Sequence, residues 1–543
     1  MTRTTREVGD HWPILFLIAL SLFLNLYAIT WGLPNIDDWA SLSLAPVKPL
    51  SFAKHLLYGE TWLYHYPPFH FIVLALAYAP YIVYLFVSGG LTSPVDAYPY
   101  GLTHPLQSLT MFILISRAVS VAMGVGLVVT HYYTVKKFAD RRAAFWTGFF
   151  ITTAFPLIYY AHIANVDVPQ LFWFSLALYS YISLLQSPST KHYILLGIFT
   201  AFAFTTKDSI YAIFIGIAVI ILILPCIEQL QLTKDVRLSL QKIFDHRILY
   251  GLIVFIILLL LIFNPISNFD GFMSHINKHS LRSIRGSWVI RDAPSKLFGH
   301  LELIYHYLEF MVQSNGVLVF ALLVSGFIYV LITSPKKFLL LMIPIVTYYI
   351  FFLRIHGTYH LRYMLPAYLL LLWFAGKLCG DIWNVSTKLK PLTRAFLGLI
   401  FVSSLMYGFS VDLLLANDCR YQAEAWIRTA IAEDAIILAL EPAYSLPRLP
   451  PTMTVLSRDL WDFNGNLIDD IRDVRADYII VSMAIPRRRE QRKEVDQFFI
   501  DAGYQPVQSF VTTLPWWVPR IANIHALYPE VTILRNTYHT KSG

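Results

Sequence analysis

Two adjacent carboxylates, Asp37 and Asp38, follow Gly32-Leu33-Pro34-Asn35 at the end of the first long apolar run, and Tyr64-His65-Tyr66-Pro67-Pro68 closes the same stretch. Neighbouring carboxylates repel, so one of them is poised to act as a base near neutrality unless cations compensate. Such a pair is either a solvated cap on a helix or part of a reaction centre, and its company separates the two readings. Arg117 lies about two turns inside a later apolar run. Asn165-Val166-Asp167, Thr205-Thr206-Lys207-Asp208 and His356, His360, Arg362-Tyr363 stand at the ends of others. Taken singly, Arg117 could snorkel to the interface and Lys207-Asp208 could close a tight turn as an ion pair. Taken together they are acids and bases at the rim of a bilayer, where ionisable groups are costly and usually functional.

The chemistry that these residue types suit is group transfer from a lipid carrier at the membrane surface. A phosphate leaving group needs fixed cations to take up the charge that develops as its bond breaks. An incoming hydroxyl needs a carboxylate within hydrogen-bond reach to accept its proton. A carrier's hydrocarbon tail needs apolar walls. A divalent metal is compatible with Asp37, Asp38 and Asp167 but not implied, because no His/Cys ligand spacing accompanies them. Cys226, Cys379 and Cys419 are too few and too scattered for a disulfide framework or a zinc site.

The elements that must position these residues are membrane spans. Apolar residues make up 56% of the 543, charged residues only 14%, and the mean hydropathy is +0.55. A soluble domain carries about a quarter charged residues, so the composition describes a polytopic α-helical membrane protein. The net charge of +8 comes from basic residues in short inter-helix loops, the positive-inside pattern, and implies no nucleic-acid partner. The expected spans are 12–31, 109–131, 143–160, 169–185, 193–206, 210–227, 248–263, 316–333, 338–353, 363–378 and 395–415, about eleven in all. The apolar stretch 69–87 is expected to lie in or on the outer leaflet, since a crossing there would invert every later basic loop. This gives a cytoplasmic N-terminus and an extracytoplasmic C-terminus. The first apolar run lacks a cleavage-site pattern and reads as a retained helix. Residues 264–314 read as a long outer segment. From 419 onward the composition becomes that of a small α/β domain, with strands expected at 435–440, 478–482 and 531–535 and a charged helix at 487–502. The expected division is therefore a transmembrane domain, 1–418, and an extracytoplasmic domain, 419–543. Trp516-Trp517 suits an interfacial anchor slightly better than a sugar-stacking platform.

The residues also carry a resemblance. Gly32-Leu33-Pro34 with Asp37-Asp38, His65-Tyr66-Pro67-Pro68-Phe69, Arg117-Ala118-Val119-Ser120 with Gly124, Ala164-Asn165-Val166-Asp167, Thr206-Lys207, Asn264-Pro265 and Arg362-Tyr363-Met364-Leu365-Pro366 resemble, in order and spacing, motifs of the GT-C superfamily of glycosyltransferases. The group resembled is that of protein O-mannosyltransferases and aminoarabinose lipid A transferases, over about 12–415. Asp38 stands where that group usually has Glu, which leaves open whether Asp37 or Asp38 faces the acceptor. The resemblance implies a GT-C fold and inverting transfer of a sugar from a polyisoprenyl-phosphate donor to a hydroxyl of a protein, lipid or glycan acceptor, in the inner membrane of a prokaryote. It implies Asp37 as general base with Asp38 beside it, and Asp167 in a supporting role. Lys207, Arg117 and Arg362, with His65 and His360, would bind the donor phosphate, and Tyr66 and Tyr363 would line the pocket. The competing reading is a transporter or lipid-linked sugar flippase, which predicts repeated halves and charges at mid-bilayer. No repeat is visible in the sequence.

Overall fold

The computed structural model describes residues 3–33, 66–93, 100–237, 245–285, 297–356, 360–385, 389–440, 446–450, 452–458, 476–482, 499–500, 502–513, 515–518, 527 and 529–537. The chain forms two compact units. The first comprises Met1–Ile29, Pro46–His104 and Phe112–Phe409, and the second Thr30–Ala45, Pro105–Met111 and Ser410–Gly543.

The first unit is a helical bundle. Its helices are α1 (Arg3–Leu26), α2 (Phe69–Val87), α3 (Pro105–Phe138), α4 (Arg141–Thr152), α5 (Phe155–His162), α6 (Asp167–Gln186), α7 (Thr190–Thr206), α8 (Tyr211–Thr233), α9 (His246–Phe263), α10 (Phe269–Arg285), α11 (Leu297–Thr333), α12 (Pro335–Tyr348), α13 (Leu361–Trp383) and α14 (Lys390–Ala416). The first residues of α3 and the last of α14 belong to the second unit. Among the described residues nine helices are long and apolar enough to cross a membrane, or ten if α4 and α5, bent by 53°, make one span. One shorter apolar helix, His11–Leu26, lies in the first expected span. The chain is a multi-pass α-helical membrane protein.

Small residues let these helices approach closely, as they must where hydrocarbon surrounds the bundle and no hydrophobic effect drives helices together. A Cβ on Gly197 of α7 would lie 2.2 Å from the Gly251 carbonyl oxygen of α9, and one on Gly376 of α13 would lie 2.0 Å from Thr147 Oγ1 of α4. One end of the bundle collects cations on neighbouring helix ends. Lys137 Nζ donates to Ser183 Oγ (2.7 Å), Arg247 Nη1 to the Pro188 carbonyl (3.0 Å) and Lys337 Nζ to the Phe138 carbonyl (2.8 Å). At the same end Lys377 bridges Asp140 (3.3 Å) and Asp381 (2.7 Å). Asp167 and Gln186 close opposite ends of α6, and Gln186 reaches the Lys137 carbonyl. Asp167 is therefore some 30 Å away from the cations, at the other end of the bundle.

Residues 264–314, expected as an outer segment, contain among the described residues α10 and the first half of α11, which breaks at Gly316 (φ 84°, ψ 168°). Hydropathy finds helices that are apolar all round, and an amphipathic helix such as α10 escapes it. Lys207 and Asp208 also do not pair with each other as the tight-turn reading supposes; each finds a distant partner.

The second unit contains α15 (Cys419–Ala430) and a five-stranded sheet of order β2-β1-β3-β5-β4, formed by β1 (Ile436–Leu440), β2 (Thr454–Arg458), β3 (Tyr478–Ser482), β4 (Tyr504–Val511) and β5 (Glu530–Asn536). β1 runs parallel to β2 and β3, and β5 runs antiparallel to β3 and β4. Alternation sorts the side chains: Ile437, Ala439, Ile480 and Ile533 pack with Ala423 and Ile427 of α15, while Leu438, Ile479, Val481 and Leu534 pack on the other face with Phe499 and Tyr504. β2 and β4, which the sequence reading omits, are the edge strands. Pro506 and the register shift at Pro506–Gln508 blur the pattern of β4. Most of the helix expected at 487–502 lies outside the described residues.

Candidate functional site

The site is built where α6 begins, α7 ends and α13 begins. Asn165 Oδ1 accepts the Asp167 backbone N–H (2.6 Å), a side-chain turn that sets the start of α6 and puts Asp167 in its first turn. A helix N-terminus favours a carboxylate there. Lys207 caps the C-terminal end of α7, and its carbonyl accepts Gln170 Nε2 of α6 (2.5 Å). Backbone and ammonium are thus both held from α6: Lys207 Nζ meets Asp167 Oδ1 at 2.5 Å, with side chains only 5% and 2% exposed. Asp167 Oδ2 is buried with no hydrogen-bond partner among the described residues. Asp208, one residue on, pairs with His275 Nε2 of α10 (3.2 Å).

Tyr363 joins the second cation to this pair. The Lys207 ammonium lies 5.1 Å and the Arg362 guanidinium 5.3 Å from the Tyr363 ring centroid, and the His360 ring is 5.5 Å away. Tyr348 fixes the segment by donating to the Tyr363 carbonyl (2.7 Å). Arg362 Nη1 reaches Tyr66 Oη at 3.5 Å, and Tyr160 lies within electrostatic range of Asp167, Arg362 and Tyr66. Among the described residues, two cations and one carboxylate stand around this aromatic plate, an excess of positive charge suited to an anion such as a phosphate. Arg117 is fully buried and donates to the Ile29 carbonyl, while His162 Nε2 contacts the Tyr27 carbonyl (2.6 Å), so both side chains serve carbonyl groups just beyond α1.

Asp167, Lys207, Arg362, His360, Tyr66 and Tyr363 therefore come together, from stretches up to about 300 residues apart. Asp37, Asp38 and His65 lie outside the described residues. No group of three or more His, Cys, Asp or Glu able to hold a metal occurs among the described residues. Sequence reasoning missed Gln170, Tyr160 and Tyr348, which look like ordinary span residues. His275 falls in the stretch 264–314, read from the sequence only as an outer segment. Between α7, α8 and α9 lies an open apolar groove of about 460 Å³ lined by Thr200, Phe204, Tyr211, Ala218 and Phe255 among others. Phe204 stands three residues before Lys207 in the chain, and none of the residues of the charged cluster lines this groove.

Residues 92–263, which include Arg117, Asp167 and Lys207, match the family model described as dolichyl-phosphate-mannose-protein mannosyltransferase. The match spans about a third of the chain. Among solved structures the chain is similar to the oligosaccharyltransferase AglB from Archaeoglobus fulgidus, solved with an inhibitory peptide and a dolichol-phosphate, at 12% identity and a TM-score of 0.49, over 96% of this chain and 77% of that one. It is similar to ArnT from Cupriavidus metallidurans, solved bound to undecaprenyl phosphate, at 13% identity and 0.44, over 96% and 98%. The S. cerevisiae protein O-mannosyltransferase Pmt1-Pmt2 complex, bound to its sugar donor, matches at 17% and 0.35, over 49% of this chain and 34% of that one. Identity and score are low throughout, so the fold rests on this chain's own helices and sheet. None of the curated proteins compared with the chain matches it.

Proposed function

We propose that this protein is an inverting glycosyltransferase that moves a sugar from a polyisoprenyl phosphate to a hydroxyl of an extracytoplasmic acceptor. The observation that carries the reading is the shared plate: Lys207 and Arg362 flank Tyr363, and Asp167 holds Lys207. In the reaction, Asp37 or Asp38 takes the proton of the acceptor hydroxyl as its oxygen attacks the anomeric carbon. The bond from that carbon to the phosphate oxygen breaks, and the leaving lipid phosphate takes the electron pair. Lys207 and Arg362 stabilise that charge, and the groove between α7, α8 and α9 receives the tail. The matched family and the ArnT and AglB structures, which hold lipid phosphates, support the donor class. Which sugar is moved, and whether the acceptor is protein, lipid or glycan, is the object of the test.

The same reading places the charged site on the extracytoplasmic side, because the lysine-rich helix ends lie at the opposite end of the bundle. It also keeps α2 from crossing. Phe69 stacks on Phe202 (4.2 Å), five residues before Lys207, and Tyr78 and Tyr81 pack on Phe112 (5.0 and 5.1 Å), five residues before Arg117. The Arg117 guanidinium in turn holds the Ile29 carbonyl beyond α1. These contacts, to residues near the ends of α7 and α3 on the Lys207 side, support a helix lying in the outer leaflet. In this setting 419–543 is the extracytoplasmic domain of an enzyme in a prokaryotic inner membrane.

The test is incubation of membranes with a panel of radiolabelled polyprenyl-phosphate sugars, tracing where label appears. Asp37→Asn, Asp38→Asn and Lys207→Ala run in parallel. Label leaves the carrier in the unaltered protein, and Lys207→Ala slows transfer by about 10²–10³-fold, as expected for loss of one charge-stabilising donor. Undiminished transfer by both aspartate variants removes the general-base assignment.

A further inference from the structure

Within the second unit, the segment that leads into the first loop is gripped at three successive residues. Trp31 Nε1 donates to Asp418 Oδ2 (2.8 Å), and the Arg420 guanidinium, itself bonded to Asp418 (2.5 Å), lies 5.4 Å from the Trp31 ring centroid. The Gly32 N–H donates to Tyr421 Oη (3.0 Å). The Leu33 carbonyl accepts Arg448 Nη1, while Nε and Nη2 of the same guanidinium bind Glu424, with Nε–Oε1 at 2.7 Å, and its Cζ lies 5.4 Å from the Tyr421 ring centroid. Trp31 and Asp418 are each 4% exposed, so their hydrogen bond is shielded from water. Gly32 takes a positive φ of 72°, which L side chains rarely adopt.

We infer that α15 and Arg448 of the C-terminal domain form a clamp that positions the acidic loop, so that this domain contributes to turnover by holding the backbone from which Asp37 and Asp38 hang. Leu33 precedes Asp37 by four residues, a chain reach of at most about 14 Å, so the grip acts directly upstream of the carboxylates. A general base must come within hydrogen-bond distance of the proton it takes, and a misplacement of about 1 Å can cost 10²-fold in rate. Arg448 is thus a positioning residue: its guanidinium ties the Leu33 carbonyl to Glu424 of α15. The inference rests on the reading of Asp37 or Asp38 as the base.

The test uses the full chain in lipid nanodiscs with radiolabelled dolichyl-phosphate mannose and the other polyprenyl-phosphate sugars of the panel. Arg448→Ala, Arg448→Lys and Trp31→Phe are compared for amide exchange across 32–45, for the thermal midpoint, and for kcat and KM toward donor. Arg448→Ala raises exchange across 32–45 at least tenfold and lowers kcat 10–100-fold, with donor KM within twofold. Arg448→Lys, which keeps a cation but not the fork, recovers part of both. Trp31→Phe keeps the ring under Arg420 but loses the donor to Asp418, and shows the same effects more weakly. It carries the test should Arg448→Ala lower the midpoint. Unchanged exchange in both Arg448→Ala and Trp31→Phe overturns the clamp, and so does raised exchange with kcat intact. If instead Asp37→Asn and Asp38→Asn both retain transfer, the catalytic reading fails, while the exchange data still judge the clamp by themselves.

Discussion

Lys207 has a choice of carboxylates, and the structure gives it the one forty positions away rather than its neighbour. A buried ion pair is weak evidence for net stability, yet removing one partner leaves an uncompensated buried charge costing about 3–5 kcal/mol. Asp167→Asn should therefore destabilise the protein by about that amount in a thermal or denaturant melt. The double variant Asp167→Asn/Lys207→Met removes both charges and should melt close to the unaltered protein while still failing to bind decaprenyl phosphate. A double variant with full binding and transfer would make the pair purely structural. The candidate residues were legible in the sequence because ionisable groups are rare in lipid-facing segments: Asp167, Lys207 and Arg362 announce themselves by being there at all. Gln170, Tyr160 and Tyr348 do not. Amides and phenols occur throughout this aromatic-rich chain, and only their proximity to Lys207, Arg362 and Tyr363 gives them a part.

Among the elements, α7 matters most, since it ends at Lys207, faces α6 on one side and lies against α9 on the other. Its approach to α9 depends on Gly197 and Gly251: a Cβ on Gly251 would stand 2.6 Å from the Tyr193 carbonyl oxygen. Gly197→Leu should force these helices apart and lower the thermal midpoint; an unchanged midpoint would show that backbone shifts absorb the side chain. The apolar groove between α7, α8 and α9 predicts a different signature. Ala218→Phe, which projects bulk into it, should raise the donor KM about tenfold with kcat little altered, because the tail is bound equally in ground and transition states. At Gly316 the backbone lies at φ 84°, where a side chain is strained, and a Cβ there would meet the Tyr407 ring at 3.2 Å. Gly316→Ala should cost about 1–3 kcal/mol, measured by thermal unfolding. The sequence span beginning at 316 thus starts at the break in α11, but the helix before the break was unreadable because its polar residues hide it from a hydropathy scan.

For the whole molecule, the arrangement makes a statement about sidedness. Single cysteines at Phe69 and Lys137 should react with a membrane-impermeant thiol reagent from opposite sides of sealed vesicles. Labelling of both from the same side would mean that α2 crosses and that the positive-inside assignment fails. What the sequence by itself determined is what depends on composition and local pattern: a polytopic helical membrane protein, a small α/β tail, motifs in family order and the kinds of charge at span ends. Those follow from the cost of charge in hydrocarbon and from the two periodicities of helix and strand. Only the tertiary structure decided which charges meet, because partners such as Lys207 with Asp167, Arg362 with Tyr66 or Trp31 with Asp418 lie from 40 to 387 positions apart. No local preference encodes such a pairing: helix packing brings the groups within reach, and burial makes leaving them unpaired too costly.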